Sequence, residues 1–211
     1  MTSPSAILPD TFYHIYNRGV NRENIFIEDR NYAYFMQLYE KYITPVAETY
    51  AYCLLKNHFH FLIRTKSEDE ITKTRSSISK PLGWTPSAHF SNFFTAYAKS
   101  INHAYGRTGS LFQHPFGRIP VETNRQLWNI IAYIHQNPQK HHFVEDFRQW
   151  KYSSYITILS EKPTQATGRL CLNGLVENSN IWIFIRFGWM MLRQNGLYQV
   201  ISINDSHLTD P

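Results

Sequence analysis

The stretch Asn57 to Ile63 (Asn-His-Phe-His-Phe-Leu-Ile) constrains the fold most, because two histidines alternate with phenylalanines in an apolar, aromatic run. This composition and alternation predict a β-strand. Side chains alternate between the two faces of a strand, so His58 and His60 share one face while Phe59 and Phe61 share the other. We expect the phenylalanine face to meet the core. The opposite face then holds two imidazoles close enough to bind one metal ion.

The elements around this run follow a definite order along the chain. Residues 12–17 predict a first strand, and Asp29 could cap a helix that ends or kinks at Pro45. A strand at 50–55 precedes Lys56-Asn57, where the chain forms either a hairpin or one long irregular strand. A helix at 90–105, a strand at 111–121 and a third helix from Arg125 to about Gln136, capped by Thr123 or Asn124, follow.

This order predicts an α+β fold of the ferredoxin-like kind. The first six elements spell a split βαββαβ unit, an antiparallel sheet with helices on one face. Pro115 and Gly117 lie inside the fourth strand, which predicts an edge position or the close approach of another backbone. The histidine face of the sheet would be open, or covered by the third helix.

The third helix carries Tyr133 and Asn137, four residues apart and therefore on one side, one turn from each other. By angle they flank its apolar stripe, which places them at the rim of the packed surface. Asn137 precedes Pro138, so we expect it at the helix end. Both residues could be structural, as a half-buried tyrosine and a C-terminal cap.

His58, His60, Tyr133 and Asn137 together suit DNA strand cleavage by a tyrosine. Two neutral imidazoles and a side-chain oxygen can hold Mg²⁺ or Mn²⁺ and leave positions open for a phosphate. The ion would polarise the scissile phosphate while the phenol attacks it in line. A free phenol has a pKa of about 10, so it needs the field of the metal or a base to act at neutral pH.

Charge and composition limit the partners and the location. A formal net charge of +5 favours a polyanion such as nucleic acid, although an ordinary basic enzyme has similar charge. Cys53 and Cys171 lie far apart and form neither a zinc motif nor a disulfide framework. We find no membrane-spanning run and no signal peptide, so we expect a cytoplasmic, nucleoid-associated protein.

The chain divides into a catalytic part and an appendage. We assign residues 1–158 to the domain that carries the histidines and the tyrosine, and residues 159–211 to a C-terminal appendage of unknown role. The segment 66–87 is expected to be a loop with mobile or helical parts. The apolar run 181–192 predicts a buried helix or strand.

Five short motifs follow one another between about Phe12 and Tyr155, roughly two thirds of the chain. The motifs are Tyr-His-Ile-Tyr-Asn-Arg-Gly at 13–19, Asn-His-Phe-His at 57–60, Gly-Ser-Leu-Phe-Gln at 109–113, Tyr-Ile-His-Gln-Asn-Pro at 133–138 and Trp-Lys-Tyr-Ser-Ser-Tyr at 150–155. Each motif is weak alone, but their order and spacing are specific. Together they resemble the single-tyrosine HUH transposases, the insertion-sequence-200-like superfamily, and within it the REP-associated tyrosine transposases.

The resemblance implies a role for each of the four residues. His58 and His60 are the metal ligands, and Tyr133 becomes linked to a DNA 5′-phosphate and releases a 3′-hydroxyl. Asn137 takes the place of the third ligand, which is glutamine in many members. Members act on single-stranded DNA next to imperfect hairpins, as monomers or as homodimers. Charge and placement suggest backbone contacts from Arg18, Arg22, Arg64, Lys99, Arg107 and Arg118.

Two other functions stay open. The chain could be a domesticated DNA-hairpin binding protein that does not cleave, although such a binder has no need of a tyrosine beside a metal pair. It could also be a metal-dependent phosphodiesterase that uses water, which would turn over without a covalent adduct and would tolerate Tyr133→Phe.

Overall fold

The computed structural model describes residues 6–76, 85–159, 183–186, 189–194 and 197–201. Two short 3₁₀ turns, Val20–Arg22 and Phe147–Gln149, lie between the regular elements. The helices and strands are β1 Phe12–Arg18, α1 Asp29–Tyr42, β2 Ala47–Leu55, β3 His58–Thr65, α2 Glu68–Ser76, α3 Pro86–Ala104, β4 Gly117–Pro120, α4 Asn124–Lys140, α5 Tyr155–Leu159, β5 Ile183–Arg186, β6 Trp189–Gln194 and β7 Leu197–Ile201.

Four strands form one antiparallel sheet in the order β2-β3-β1-β4. The predicted α+β class is therefore confirmed as a mixed fold with a four-stranded antiparallel sheet and helices. Strands β2 and β3 form a hairpin, since Leu55 pairs with His58 across the Lys56-Asn57 turn. This pairing decides between the two alternatives that the sequence left open.

The two faces of the sheet have different partners. Phe59, Phe61 and Ile63 of β3 pack with residues of α1 and α3, such as Phe35 and Phe93, in one buried cluster. Each such side chain contributes about 1.5–3 kcal/mol on burial. Helix α4 covers the other face and packs its apolar stripe on β2 and β3. The phenylalanine face is thus the core face, as predicted.

Helix α1 begins differently from the sequence prediction. Its N-cap is Glu28, and Asp29 is the first helical residue rather than the cap. The backbone N–H of Glu28 donates to Asn31 Oδ1 at 2.9 Å, and the N–H of Ile27 donates to the same oxygen. The side chain of Asn31 therefore satisfies this helix start from inside the first turn, and Asp29 is not needed there.

The fourth strand is shorter than the predicted 111–121. Strand β4 covers only Gly117–Pro120, and Phe112 forms an isolated bridge with Gly19. Pro115 interrupts the pairing between them because it has no backbone N–H to donate. The predicted edge position is confirmed, since β4 ends the sheet beside β1.

Gly117 has a close neighbour, but not the backbone that the sequence offered as the alternative to an edge position. Its register partner in β1 is Tyr16, and an ideal Cβ at residue 117 would lie 2.2 Å from Cε2 and Cζ of the Tyr16 ring. Here the close neighbour is a side chain rather than a backbone. Glycine at this position leaves the space that the ring occupies.

Helix α4 continues past Pro138, so the prediction that Asn137 ends the helix was wrong. The helix runs to Lys140, with Thr123 as N-cap and a capping box to Gln126. Pro138 lies in the last turn, where it removes only one backbone hydrogen bond. The His141 N–H still donates to the Asn137 carbonyl at 3.0 Å.

The structure describes parts of the two segments, 66–87 and 181–192, for which only open predictions could be made from the sequence. The predicted loop 66–87 contains α2 over Glu68–Ser76, while residues 77–84 lie outside the described residues. The apolar run 181–192 contributes to β5 and β6, which form a separate three-stranded antiparallel sheet with β7. The division after residue 158 stays a prediction. Among the described residues, no helix is long and apolar enough to cross a membrane.

Candidate active site

The histidine pair lies on the α4 side of strand β3. His58 and His60 are both buried, and their ring centroids are 5.2 Å apart with the rings nearly perpendicular. The strand alternation places both rings on the face that α4 covers, while Phe59 points to the opposite core. The sheet therefore presents two imidazoles to the helix.

Helix α4 brings Tyr133 and Asn137 to these histidines. The Tyr133 ring lies edge-on to His60, with centroids 5.4 Å apart, and Asn137 Oδ1 is 3.3 Å from His58 Nε2. The predicted rim position was wrong, because Tyr133 is only 2% exposed and Asn137 is fully buried. The side of α4 that bears both residues faces the sheet, so the helix covers a polar patch as well as an apolar one.

His58 lies between two amide oxygens. Its Nδ1 is 2.7 Å from Asn57 Oδ1, and its Nε2 faces Asn137 Oδ1. Both amides are oriented by their NH₂ groups, which donate to the carbonyls of Arg22 and Tyr133. A neutral imidazole has only one N–H, so one of the two oxygens faces a nitrogen lone pair. A cation bound by Nε2 and Oδ1 removes this conflict.

His60 offers a second nitrogen to the same region. Its Nδ1 is 3.0 Å from His14 Nε2, and its Nε2 is buried with no hydrogen-bond partner in the described part of the chain. Burial lowers the pKa of His60 well below 6.5, and His14, His58, His141 and Arg18 lower it further. The ring is therefore neutral at pH 7, which is the form that binds a metal.

The donor atoms near the histidine pair include an amide oxygen as well as imidazole nitrogens, and this mixed set is compatible with a metal ion. Within the described residues, no group of three His, Cys, Asp or Glu side chains could hold a metal ion. The set at this position is two imidazoles and one amide oxygen, from His58, His60 and Asn137. The orphaned Nε2 of His60 and the unresolved lone-pair conflict at His58 are both consistent with a bound divalent cation.

Positive groups surround the tyrosine and the histidines. Lys140 Nζ lies 5.1 Å from the centroid of the Tyr133 ring, and the His141 ring lies 4.7 Å from that of His58. Arg18 is the register partner of His58 on the neighbouring strand. This concentration of cationic and imidazole groups suits a phosphate diester.

The six predicted backbone contacts are not equivalent in space. Arg18 lies beside the histidine pair, and Arg22 is exposed in the turn that follows β1. Arg118 lies on β4 with its guanidinium 4.4 Å from the Phe116 ring centroid. Arg18 and Arg22 thus lie at or just beyond the end of β1 that pairs with His58, whereas Arg118 pairs with Ile15, whose side chain belongs to the phenylalanine-face cluster.

The other three basic residues have different surroundings. Arg64 forms salt bridges with Asp10, Glu48 and Glu70, and Arg107 forms one with Glu23. Lys99 is exposed on α3, on the phenylalanine side of the sheet. A phosphate would have to compete with carboxylates at Arg64 and Arg107.

Sequence reasoning missed His14. It is buried, it contacts His60, and burial lowers its pKa to about 3. The signal was the alternation of the first strand, which puts His14 and Tyr16 on one face. Only the pairing of β1 with β3 brings that face beside the histidines.

The fold has a counterpart among solved structures. A solved structure of a REP-associated tyrosine transposase bound to a REP hairpin matches with a TM-score of 0.54 and 14% identity, over 80% of this chain and 97% of the other. The chain therefore shares the fold of that structure, a mixed α+β fold with a four-stranded antiparallel sheet.

A sequence relative then confirms the predicted resemblance. A curated REP-associated tyrosine transposase from Haemophilus influenzae is 28% identical over 111 residues, which is 51% of this chain. The chain is thus a homologue of a REP-associated tyrosine transposase over half its length. The match spans 58% of the length of that relative. No protein-family model matches the chain.

Proposed function

We propose that this chain is a DNA transposase that binds single-stranded DNA hairpins and cleaves and rejoins one strand. Tyr133 is the nucleophile, and His58, His60 and Asn137 hold Mg²⁺ or Mn²⁺. The observation that carries the proposal is the position of Tyr133, whose ring is 5.4 Å from that of the buried, neutral His60. The transposase homologue and the hairpin-bound structural neighbour support the choice of substrate.

The chemistry divides between the protein and the metal. The Tyr133 oxygen attacks the phosphorus and loses its proton, the bond from phosphorus to the 3′ oxygen breaks, and the departing 3′ oxygen takes up a proton, so that a 5′-phosphotyrosine and a 3′-hydroxyl form. The metal, when bound, polarises the phosphate and neutralises developing charge. Lys140, 5.1 Å from the Tyr133 ring centroid, favours the phenolate electrostatically. Attack by a 3′-hydroxyl on the phosphotyrosine reverses the reaction and rejoins strands.

The site is assembled within one chain. Tyr133 and Asn137 on α4 meet the histidines of the same sheet, and α4 is held there by its packing on β2 and β3. We therefore propose catalysis in cis, which does not require a homodimer. We also interpret the strand order β2-β3-β1-β4 as the ferredoxin-like order of a split βαββαβ unit.

The DNA backbone would follow the basic groups beside the site. We favour Arg18 and Arg22 as phosphate contacts, because they lie at or just beyond the end of β1 that pairs with His58. We expect less from Arg118, which pairs with Ile15 of the phenylalanine face. Arg64 and Arg107 are already paired with carboxylates. Their contribution to binding is expected to be smaller.

One observation favours a non-cleaving hairpin-binding protein instead. Tyr133 is only 2% exposed, so its hydroxyl must be uncovered before a scissile phosphate can reach it. A domesticated binder would keep the same fold and the same basic surface without this movement. The two functions differ in whether a covalent adduct forms.

The test is a labelled library of single-stranded hairpins incubated with Mn²⁺ and run on a denaturing gel. We expect a protein-linked band that Tyr133→Phe abolishes and that EDTA prevents. The matched control is Tyr16→Phe, because Tyr16 is the other tyrosine near the pair, with ring centroids 6.0 Å from His60. An adduct lost with Tyr16→Phe but kept with Tyr133→Phe would move the nucleophile. Binding without any adduct would favour the non-cleaving protein.

A further inference from the structure

We propose that His14 is a positioning residue that holds His60 in the tautomer able to bind a divalent cation. The inference rests on the proposed function, since it concerns the same metal site. It assigns a role to a buried histidine that neither touches the metal nor belongs to the Asn-His-Phe-His motif. The ligand class is a divalent cation that prefers nitrogen and oxygen donors, such as Mn²⁺ or Mg²⁺.

The geometry begins with strand pairing. Strand β1 pairs antiparallel with β3, with Tyr16 opposite His60 and His14 opposite Leu62. His14 is therefore a diagonal neighbour of His60 on the same face of the sheet. Their rings are stacked at 23° with centroids 5.2 Å apart, and His14 Nε2 is 3.0 Å from His60 Nδ1. This distance is that of a direct hydrogen bond between the rings.

The bond between the rings admits two placements of its proton. If His60 Nδ1–H donates to His14 Nε2, the lone pair of His60 Nε2 is free for a metal. If His14 Nε2–H donates instead, His60 carries its own proton on Nε2 and cannot bind one. His60 Nε2 and His14 Nδ1 are both buried with no hydrogen-bond partner among the described residues, so without a cation each placement leaves one ring N–H unsatisfied. A cation at His60 Nε2 selects the first placement.

His14 thus acts on His60 as Asn57 acts on His58. Asn57 Oδ1 lies 2.7 Å from His58 Nδ1, so each metal-facing Nε2 belongs to a ring whose Nδ1 is held by a neighbour. Metal-binding histidines generally donate their second ring N–H to such a partner, and losing the partner costs roughly 10–100-fold in metal affinity. Both proposed metal ligands, His58 and His60, therefore have a neighbouring side chain that contacts Nδ1 and leaves Nε2 to the metal.

The test measures Mn²⁺ binding to the full chain without DNA, by titration followed by electron paramagnetic resonance. His14→Phe removes the acceptor and should weaken Mn²⁺ binding by roughly 10–100-fold. His14→Gln restores an acceptor oxygen and should bind within a few-fold of the unmodified protein. The matched control is His135→Phe, because His135 is another fully buried histidine, bonded to Ser154 at 2.9 Å and not to His60.

The outcomes distinguish a failure of the proposed role of His14 from a failure of the proposed metal-dependent function. Unchanged Mn²⁺ affinity in a folded His14→Phe protein, or equal losses in His14→Phe and His14→Gln, would overturn the role of His14. A His135→Phe loss as large as that of His14→Phe would do the same, since it would indicate a general effect of buried histidines. An unmodified protein that binds no Mn²⁺ would overturn the metal-dependent function itself.

A second measurement needs no variant and no catalysis. Imidazole ¹⁵N spectra of the unmodified protein report which ring nitrogen of His60 carries the proton. Titration with diamagnetic Mg²⁺ should leave the His60 proton on Nδ1 and shift the Nε2 resonance. A His60 proton that stays on Nε2 at saturating Mg²⁺ would refute the inference.

Discussion

Gly117→Ala is a sharp test of the packing beside the proposed site. An ideal Cβ at this position would lie 2.2 Å from Cε2 and Cζ of Tyr16, whereas ordinary contacts begin at 3.4 Å. The ring must therefore move by about 1 Å. It has little room, because His14 and His60 lie on its inner side with centroids 5.1 and 6.0 Å away. Overpacking of this kind costs about 1–3 kcal/mol.

Urea unfolding followed by circular dichroism measures this cost. We expect the free energy of unfolding to fall by about 1–3 kcal/mol, and Tm to fall by about 2–4 °C for each kcal/mol. The control is the same change in a Tyr16→Ala background, where the clashing ring is absent. There alanine should be neutral or stabilising by about 0.5–1 kcal/mol, because glycine is entropically costly in a strand.

The two single variants and the double variant form a double-mutant cycle, which isolates the contact between residues 16 and 117. A coupling free energy of about 1–3 kcal/mol is expected, within the range seen for residues in contact. If Gly117→Ala is as stable as the unmodified protein, or costs the same in both backgrounds, the ring does not occupy the space over β4. The placement of Tyr16 beside the histidines would then be refuted.

Three further predictions concern stability and DNA binding. Burial raises the Tyr52 pKa to about 12, so the stabilisation that comes from burying its neutral phenol is complete below pH 10 and is lost as pH rises towards 12. Tyr52→Phe should lose less stability than the unmodified protein between pH 10 and 12, as measured by urea unfolding, because phenylalanine has no proton to lose; an equal loss would contradict this. Ser154→Ala should cost about 1–3 kcal/mol in thermal unfolding, because the Tyr52 N–H and His135 Nε2 both contact Ser154 Oγ; a cost near zero would show that the hydroxyl is dispensable. In hairpin binding against salt, Arg18→Ala should reduce the slope by about 1 and Arg64→Ala should leave it unchanged, and the reverse order would reject the proposed DNA path.

Strand periodicity made the histidine strand readable from the sequence. Alternation in residues 57–63 placed Phe59 in the core and His60 on the opposite face, and the structure has both there. The edge position of β4 followed from Pro115 and Gly117 for an equally local reason, since proline lacks a donor and glycine lacks a side chain. Such properties depend only on a residue and its immediate neighbours in the chain.

The end of helix α4 and the burial of its side chains were harder to predict from the sequence. Asn137 was expected at the helix end because Pro138 follows it, yet α4 runs to Lys140. Tyr133 was expected at the rim and is buried, because the angle at which α4 crosses the sheet sets which side of the helix is covered. That angle is a property of packing between elements and leaves no mark in the periodicity of the helix alone.

The sequence by itself determined the class of fold, the faces of the strands and the four residues proposed for catalysis. Only the tertiary structure decided that these four residues meet within one chain, that His14 bonds to His60, and that Arg64 is held by carboxylates while Arg18 lies beside the histidines. The physical reason is that side-chain direction is set locally by backbone geometry. Distances between elements depend instead on strand register and helix packing, which form only when the whole domain buries its core.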